Sequence, residues 1–440
     1  MRILHTADWH VGRTIRGRDR ADEHRAVLEE ITSIAEQREV DLVIVAGDLF
    51  DLAAPTAASE RIVYEALLGL ARTGAEVVLI SGNHDSPQRL RAVKPLLESG
   101  CGVHVGATLS RPDAGGVRNL TLRTKEIVSL AFLPFLSQRG IVKAADLMER
   151  DAFEHAQSYT ERLQTIVSLL ADALEEDAVR ILIGHLSVVG AAIGGGERSV
   201  HSGLDYMVPS TIFPSTLHYA ALGHFHRTQS IPAGCPVWYS GSPLSLDFGE
   251  GEQEKGVLVV EATATTPAKV ESVPLQSGRK LRTLRGTLAA LEAMVDDVGD
   301  DYLRVEVDEP YRPGLADEVR ELLPHAVDVR IKSSSTEPRP VTDLNLTQQS
   351  PEKLFAEFLA ERKKSNDDLG RVFHELLEME LESQRLESEQ ETGLEAGREA
   401  AREAGREAGL EAGREAGREA GLETVREAKR RPSSKNEADS

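Results

Sequence analysis

The alternation of apolar and amphipathic stretches predicts an α/β protein with a largely parallel sheet, a second, small α/β unit and a helical extension. Two observations carry this. β-Branched runs such as Val40–Ala46, Ala75–Ile80 and Val179–Gly184 alternate with segments whose apolar residues recur at helical spacing, as in strands buried on both faces. Each of these runs also leads into Asp, Asn or His, and parallel sheets carry their ligand sites at the carboxyl ends of their strands.

Taken in order, Arg2–Thr6 is a strand ending at Ala7-Asp8-Trp9-His10. A helix over Ala21–Arg38 follows, with Val27, Ile31, Ile34 and Ala35 on one face. Strand Val40–Ala46 leads to Gly47-Asp48-Leu49-Phe50-Asp51, helix Thr56–Arg72 comes next, and strand Ala75–Ile80 delivers Ser81-Gly82-Asn83-His84-Asp85. Gly102–Val105 and Ile127–Leu133 read as strands, Asp151–Glu175 as a long amphipathic helix, and Val179–Gly184 as a strand ending in His185. The run Gly194-Gly195-Gly196 has neither the strand–turn–helix frame nor the Lys of a phosphate cradle, so a mobile loop is expected. Tyr219–Gly223 leads to His224-Phe225-His226, and Val237–Ser240, Gly256–Glu261 and Val270–Val273 are expected to close the domain as antiparallel strands.

Composition shifts near Gln276–Arg279, which sets the first domain at 1–275. Over 276–335 the pattern is strand, helix (Leu288–Val295), strand (Tyr302–Val307), helix (Leu315–Leu322), strand (Val327–Ile331), a small α/β sandwich. The Ser and Pro content of Ser333–Pro340 marks a linker, set at 336–350. Residues 351–386 form an expected helical hairpin with one apolar face, carrying Leu354, Phe355, Phe358 and Leu359 on the first helix and Val372, Phe373, Leu376 and Leu377 on the second. An apolar face beyond a loose linker suits another chain. Within the tail 387–440, Gly393–Leu422 is a four-residue repeat, mostly Gly-Arg-Glu-Ala or Gly-Leu-Glu-Ala, in which each Gly costs about 1 kcal/mol against Ala inside a helix. A disordered solvated tail is expected.

With 440 residues, 40% apolar content and no apolar run of membrane-spanning length, a soluble multidomain protein is expected. The amino terminus enters a strand at once, without the segments of a secretory signal, and only Cys101 and Cys235 occur, so a cytoplasmic location is expected. A net charge of −21 repels polyanions at long range. Phosphate affinity must therefore come from local cations, or from a partner that grips the polyanion.

Each strand-end motif has an ordinary structural reading when taken alone: a turn, a cap or a packed histidine. Five of them in one chain, each supplying an O or N donor, point to two divalent cations. Asp48 is the expected shared carboxylate because its strand lies between its neighbours. Asp8 and His10 project from one loop, Asn83 offers a neutral oxygen, and His224 and His226 can reach different ions. Carboxylate, amide and imidazole without thiolate favour manganese, with magnesium, iron or zinc also possible. His84 adjoins Asn83 and is expected to stabilise charge on a phosphate or protonate the leaving oxygen. Asp51 either pairs with His84 or caps the next helix, and Asp85 is expected to stabilise its turn.

The series Asp-Trp-His, Gly-Asp-Leu-Phe-Asp, Gly-Asn-His-Asp, Gly-His and Gly-His-Phe-His resembles the calcineurin-like binuclear metallophosphoesterases. The longer strings Ile3–Arg13, Gly82–Pro87 and Tyr239–Pro243 look like the SbcD nuclease family. The resemblance implies two central sheets flanked by helices, with the second unit as a DNA-contacting cap. It also implies one cation on Asp8, His10, Asp48 and His226, another on Asp48, Asn83, His185 and His224, and His84 with Asp51 as the catalytic pair. Implied activities are 3′-to-5′ exonuclease action on duplex DNA and endonuclease action on single strands and hairpins, in DNA repair, recombination and replication. A nucleoid-associated homodimer joined through the nuclease domain is implied as well, with an SbcC-type ATPase bound to the 351–386 hairpin and no membrane. A small-molecule phosphatase or cyclic-nucleotide phosphodiesterase on the same core is the alternative. It would not need the second unit or the hairpin. A non-catalytic assembly protein is a third reading, favoured only if metal does not bind.

Overall fold

The computed structural model describes residues 1–137, 140–142, 158–194 and 206–331. β1 (Arg2–Thr6), α1 (Ala21–Gln37), β2 (Leu42–Val45), α2 (Ala57–Arg72), β3 (Glu76–Ile80), α3 (Pro87–Glu98) and β4 (Val103–Gly106) alternate as expected. β1 to β4 pair in parallel in sequence order, with β2 between β1 and β3. Thr56 caps α2 by accepting from Ser59 N, and Ser86 caps α3 ahead of Pro87. α3 is not expected from the apolar pattern of the sequence. The helix buries only Leu90 and Leu97, too few to make a periodic stripe.

The second sheet takes β5 (Val117–Thr121), β6 (Ile127–Leu133), β7 (Val179–His185), β10 (Tyr219–Gly223), β11 (Gln229–Ile231) and β12 (Val237–Tyr239). Its order is β11-β12-β10-β7-β6-β5. β8 (Ser187–Val188) and β9 (Met207–Val208) make a separate short ribbon. α4 (Tyr159–Asp172) begins at a capping box on Ser158, so the helix expected from Asp151 does not run through that position. β13 (Gly256–Thr263) and β14 (Thr266–Pro274) return to the first sheet, where β13 lies antiparallel to β1.

β12 does not join β13 and β14 in the expected antiparallel set. It runs parallel to β10 in the other sheet, and its antiparallel partner is β11. Strand composition does not encode which sheet a strand enters, and β11 is too short and polar to stand out.

Side-chain alternation builds the layers. Ile3, Ile44, Val78 and Ile80 face Val128, Ile181, Ile183 and Tyr219 between the sheets. Leu4, Val43, Val45, Val77 and Leu79 pack outward among Leu28, Ile31, Leu67 and Leu70. On the outer face of the second sheet, Leu133, Leu182 and Leu222 meet Leu163, Ile166 and Leu170 of α4. The result is a helix–sheet–sheet–helix sandwich in which both sheets are covered on both faces.

The later segment forms β15 (Leu281–Gly286), α5 (Leu288–Glu292), β16 (Tyr302–Val307), α6 (Leu315–Leu322) and β17 (Ala326–Ile331). Its three strands are parallel, in the order β15-β16-β17, over a core of Leu284, Leu291, Leu303, Val305, Leu315 and Val319. The segment meets the sandwich where Leu281 and Tyr302 pack with Ile15 and Phe248. The 336–350 linker, the 351–386 hairpin with its apolar residues, and the 387–440 repeat lie outside the described residues, as do Gly195 and Gly196.

Candidate metal centre

Five strand ends deliver the expected polar residues to one place: Asp8 and His10 after β1, Asp48 and Asp51 after β2, Asn83 to Asp85 after β3, His185 at the end of β7, and His224 and His226 after β10. Asp8, His10, Asp48, His84, His185, His224 and His226 are all buried. Their loops are bound to one another, with Asp8 N donating to Gly47 O at 3.0 Å and His10 N to Asp48 O at 3.0 Å. Asp8, His10, Asp48 and His224 have φ of 54°, 46°, 53° and 106°, a region that L side chains with a Cβ enter only at a cost. Such strain gathers at functional sites.

Two glycines make the close approach possible. A Cβ on Gly47, at φ 91°, would sit 2.4 Å from His185 Nδ1, and one on Gly82 would sit 2.1 Å from Asp48 Oδ1. The Gly of Gly-Asp is therefore set by His185 from the other sheet, and the Gly of Gly-Asn by the Asp48 carboxylate from the neighbouring strand.

Asp48 is at the middle. Its Oδ1 accepts from His84 N at 2.8 Å, and its Oδ2 lies 3.6 Å from His10 Nε2 and 3.5 Å from His185 Nε2. Asn83 Oδ1 lies 3.0 Å from His185 Nε2 and 2.9 Å from His224 Nδ1. The Asp8 carboxylate accepts from His224 N at 3.0 and 3.1 Å. Three overlapping groups, Asp8–His10–His226, Asp8–Asp48–His185 and His10–Asp48–His84, bring possible ligand atoms within 4.8 Å of one another. His84, expected to stay off the ions, has a donor inside one of these groups.

The electrostatics suit cations. Among the described residues, neither Asp8 nor Asp48 has a Lys or Arg ion-pair partner. Burial lifts the Asp8 carboxyl to about 7, against the pull of His185 and His226. Burial also opposes charge on Asp48, yet His185 beside it holds that carboxyl far below its ordinary range. Burial disfavours charge on His185, but Asp48 overcomes this and raises the imidazole to about 9. His10 is pushed down to about 4 by burial, against the pull of Asp51 and Asp48. Both its ring nitrogens are buried without a hydrogen-bond partner. Two carboxylates with no Lys or Arg partner among the described residues, beside His10 nitrogens left without a hydrogen-bond partner, fit a pair of divalent cations.

Asp51 differs from expectation. Its carboxylate lies 3.6 Å from His10 Nδ1 and 3.2 Å from an Arg13 nitrogen, while its backbone oxygen meets His84 Nδ1 at 2.7 Å. Nor does it cap α2, since Thr56 does. Spacing placed Asp51 near His84 but could not tell side chain from main chain. Asp85 behaves as expected, accepting from Gly82 N, Phe50 N and Leu49 N at 2.9, 3.1 and 3.3 Å. Sequence reasoning missed Glu250, fully buried, whose Oε1 lies 2.9 Å from His226 Nδ1 and whose Oε2 takes Lys255 Nζ at 2.7 Å. No motif spacing marks a carboxylate 24 residues beyond its histidine.

Fold and site together define a metal-dependent hydrolase of phosphate esters. Residues 1–228 match the calcineurin-like phosphoesterase family, and residues 277–363 match the type 5 capsule protein repressor C-terminal domain, SbcD_C. The SbcD subunit of the nuclease SbcCD from Bacillus subtilis (strain 168) is 34% identical over 296 residues, 64% of this chain and 71% of that one. Its namesake from Rhodobacter capsulatus is 34% identical over 388 residues, covering 81% of this chain and 94% of that one. The Escherichia coli (strain K12) protein of the same name is 29% identical over 312 residues, 68% and 74% of the two chains. This chain belongs to the calcineurin-like phosphoesterases and, within them, to the SbcD family.

Proposed function

We propose that this chain is the nuclease subunit of an SbcC–SbcD-type complex and hydrolyses DNA phosphodiester bonds at the centre described above. The observation that carries the reading is the meeting of Asp8, His10, Asp48, Asn83, His185, His224 and His226 at one buried strand edge, where no Lys or Arg among the described residues pairs with the two carboxylates. The SbcCD relatives supply the choice of DNA over small phosphate esters.

Asp8, His10, Asp48 and His226 would hold one cation and Asp48, Asn83, His185 and His224 the other, with manganese preferred for this donor set. Bound there, the two ions supply Lewis-acid charge and activation of the attacking water. The chain's own residues do the rest. His84, fixed through Nδ1 on Asp51 O, presents Nε2 as the group that stabilises the phosphate or hands a proton to the leaving oxygen. The Asp51 carboxylate lies 3.6 Å from His10 Nδ1 and interacts electrostatically with both His10 and His84. The rigid strand ends hold these groups in place before substrate arrives.

The remaining parts of the reading rest on family resemblance and sequence pattern. They are the 3′-to-5′ duplex exonuclease and the single-strand and hairpin endonuclease, the homodimer through the nuclease domain, and DNA contact by 276–335. The 351–386 hairpin is the segment that takes the ATPase. A cytoplasmic, nucleoid-associated location fits a DNA substrate. Among the described residues no helix is long and apolar enough to cross a membrane.

The test incubates the full chain with manganese and end-labelled duplex DNA, with and without the ATPase. Shortening by the native chain but not by His84→Gln or Asp48→Ala is expected. Intact DNA alongside hydrolysis of cyclic nucleotides would overturn the nuclease reading in favour of a small-molecule enzyme. Phe358→Glu is expected to abolish ATPase binding while leaving metal content unchanged.

A further inference from the structure

Three histidines at the centre, His84, His185 and His226, have Nδ1 held by an oxygen outside the set of proposed ligands. His185 Nδ1 meets Ala46 O at 2.8 Å and His84 Nδ1 meets Asp51 O at 2.7 Å, both neutral carbonyls. His226 is held differently. Its Nδ1 lies 2.9 Å from the Glu250 carboxylate, which arrives on a short helical turn, Phe248–Glu250. Glu250 Oε2 in turn accepts from Lys255 Nζ at 2.7 Å and Leu246 N at 3.0 Å. Lys255 also donates to His226 O at 3.0 Å and to Ser242 Oγ at 3.0 Å, and Ser242 N donates to the same His226 O at 3.1 Å. His226 is thus gripped at its ring and at its backbone by one buried ion pair.

We propose that Glu250, braced by Lys255, is the positioning residue that holds His226 in the tautomer whose Nε2 serves the cation shared with Asp8 and His10. An ionised carboxylate accepts only, so Nδ1 carries the proton and Nε2 keeps its lone pair. A charged acceptor also makes the imidazole a stronger ligand than a carbonyl does. Stability alone does not account for the arrangement. A buried ion pair costs desolvation, and an apolar pair of similar volume is often neutral or better. The two cation sites are therefore unequal, and the one containing His226 depends on a carboxylate that touches no cation.

The inference rests on the metal centre assigned under the proposed function, so manganese titration of the native full chain by calorimetry comes first. Uptake of two ions is expected. Uptake of none would remove that assignment and this inference with it. Given two ions, Glu250→Gln is expected to weaken one site by about 10–100-fold and leave the other within about twofold. Folded Glu250→Gln with both affinities unchanged would overturn the positioning role and leave the metal centre standing. If Glu250→Gln does not fold, Lys255→Met and Lys255→Arg decide. The arginine variant should keep both affinities and the methionine variant should lose the same single site, whereas native affinity in both would refute the proposal.

Discussion

Gly47→Ala tests how tightly the centre is packed. Gly47 has φ 91°, and an added Cβ would lie 2.4 Å from His185 Nδ1 and 2.9 Å from Gly82 Cα. The left-handed backbone costs an L residue about 1–2 kcal/mol, and overpacking a well-filled site costs about 1–3 kcal/mol. The sum is about 2–5 kcal/mol, against a total stability of about 5–15 kcal/mol. The His185 ring cannot stay where it is, because the same Nδ1 is 2.8 Å from Ala46 O. Turning it away gives up that bond, about 1 kcal/mol, and moves Nε2 off Asp48. A displacement of about 1 Å at a reacting centre lowers rate by about 10²-fold. The variant should therefore show a lower denaturation midpoint at unchanged slope, weakened manganese uptake and a phosphodiesterase rate reduced by about two orders of magnitude. Stability within about 0.5 kcal/mol of native, the ordinary range for a surface substitution, together with unchanged metal uptake, would refute the packing argument.

Other consequences can be checked separately. Asp85→Asn should cost about 2 kcal/mol or more in denaturant unfolding, because one carboxylate ties Gly82, Phe50 and Leu49 together and an amide offers only one accepting oxygen. His24, held down to about 4 by burial and then by Arg20 against an ordinary 6.5, resists charging in the folded chain. The unfolded chain binds that proton first, so stability should be full above pH 6.5 and fall by about 3 kcal/mol as pH drops to about 4. His24→Leu should flatten that part of the stability–pH curve. Asp328 meets Arg16 and Arg304 at 3.0 Å each, and Arg304 lies 4.4 Å from the Phe248 ring centroid. Asp328→Ala should therefore raise amide exchange in β15 to β17 more than in β1 to β3.

Much of the fold was legible because strands buried on both faces read as unbroken β-branched runs. β1, β2, β3, β7 and β10 fall where expected to within two residues at either end. What composition could not express was partnership. The edge strands β5 and β11 carry little apolar signal, and the sheet that takes β12 depends on β10 and β7, remote in sequence. At the site, Asp, Asn and His at strand ends were legible because each follows its own apolar run. Asp51 was placed near His84 but with the wrong atom, since main-chain and side-chain oxygens are equivalent at the level of spacing. Glu250 was invisible because its role exists only once the 247–250 turn folds beneath His226.

The central claim is that two cations share the carboxylate of Asp48. Anomalous diffraction from crystals grown with manganese measures this directly. The account predicts two peaks about 3.5–4 Å apart, one beside Asp8, His10 and His226, the other beside Asn83, His185 and His224, with Asp48 touching both. One peak alone, or two that leave Asp48 out, would contradict it.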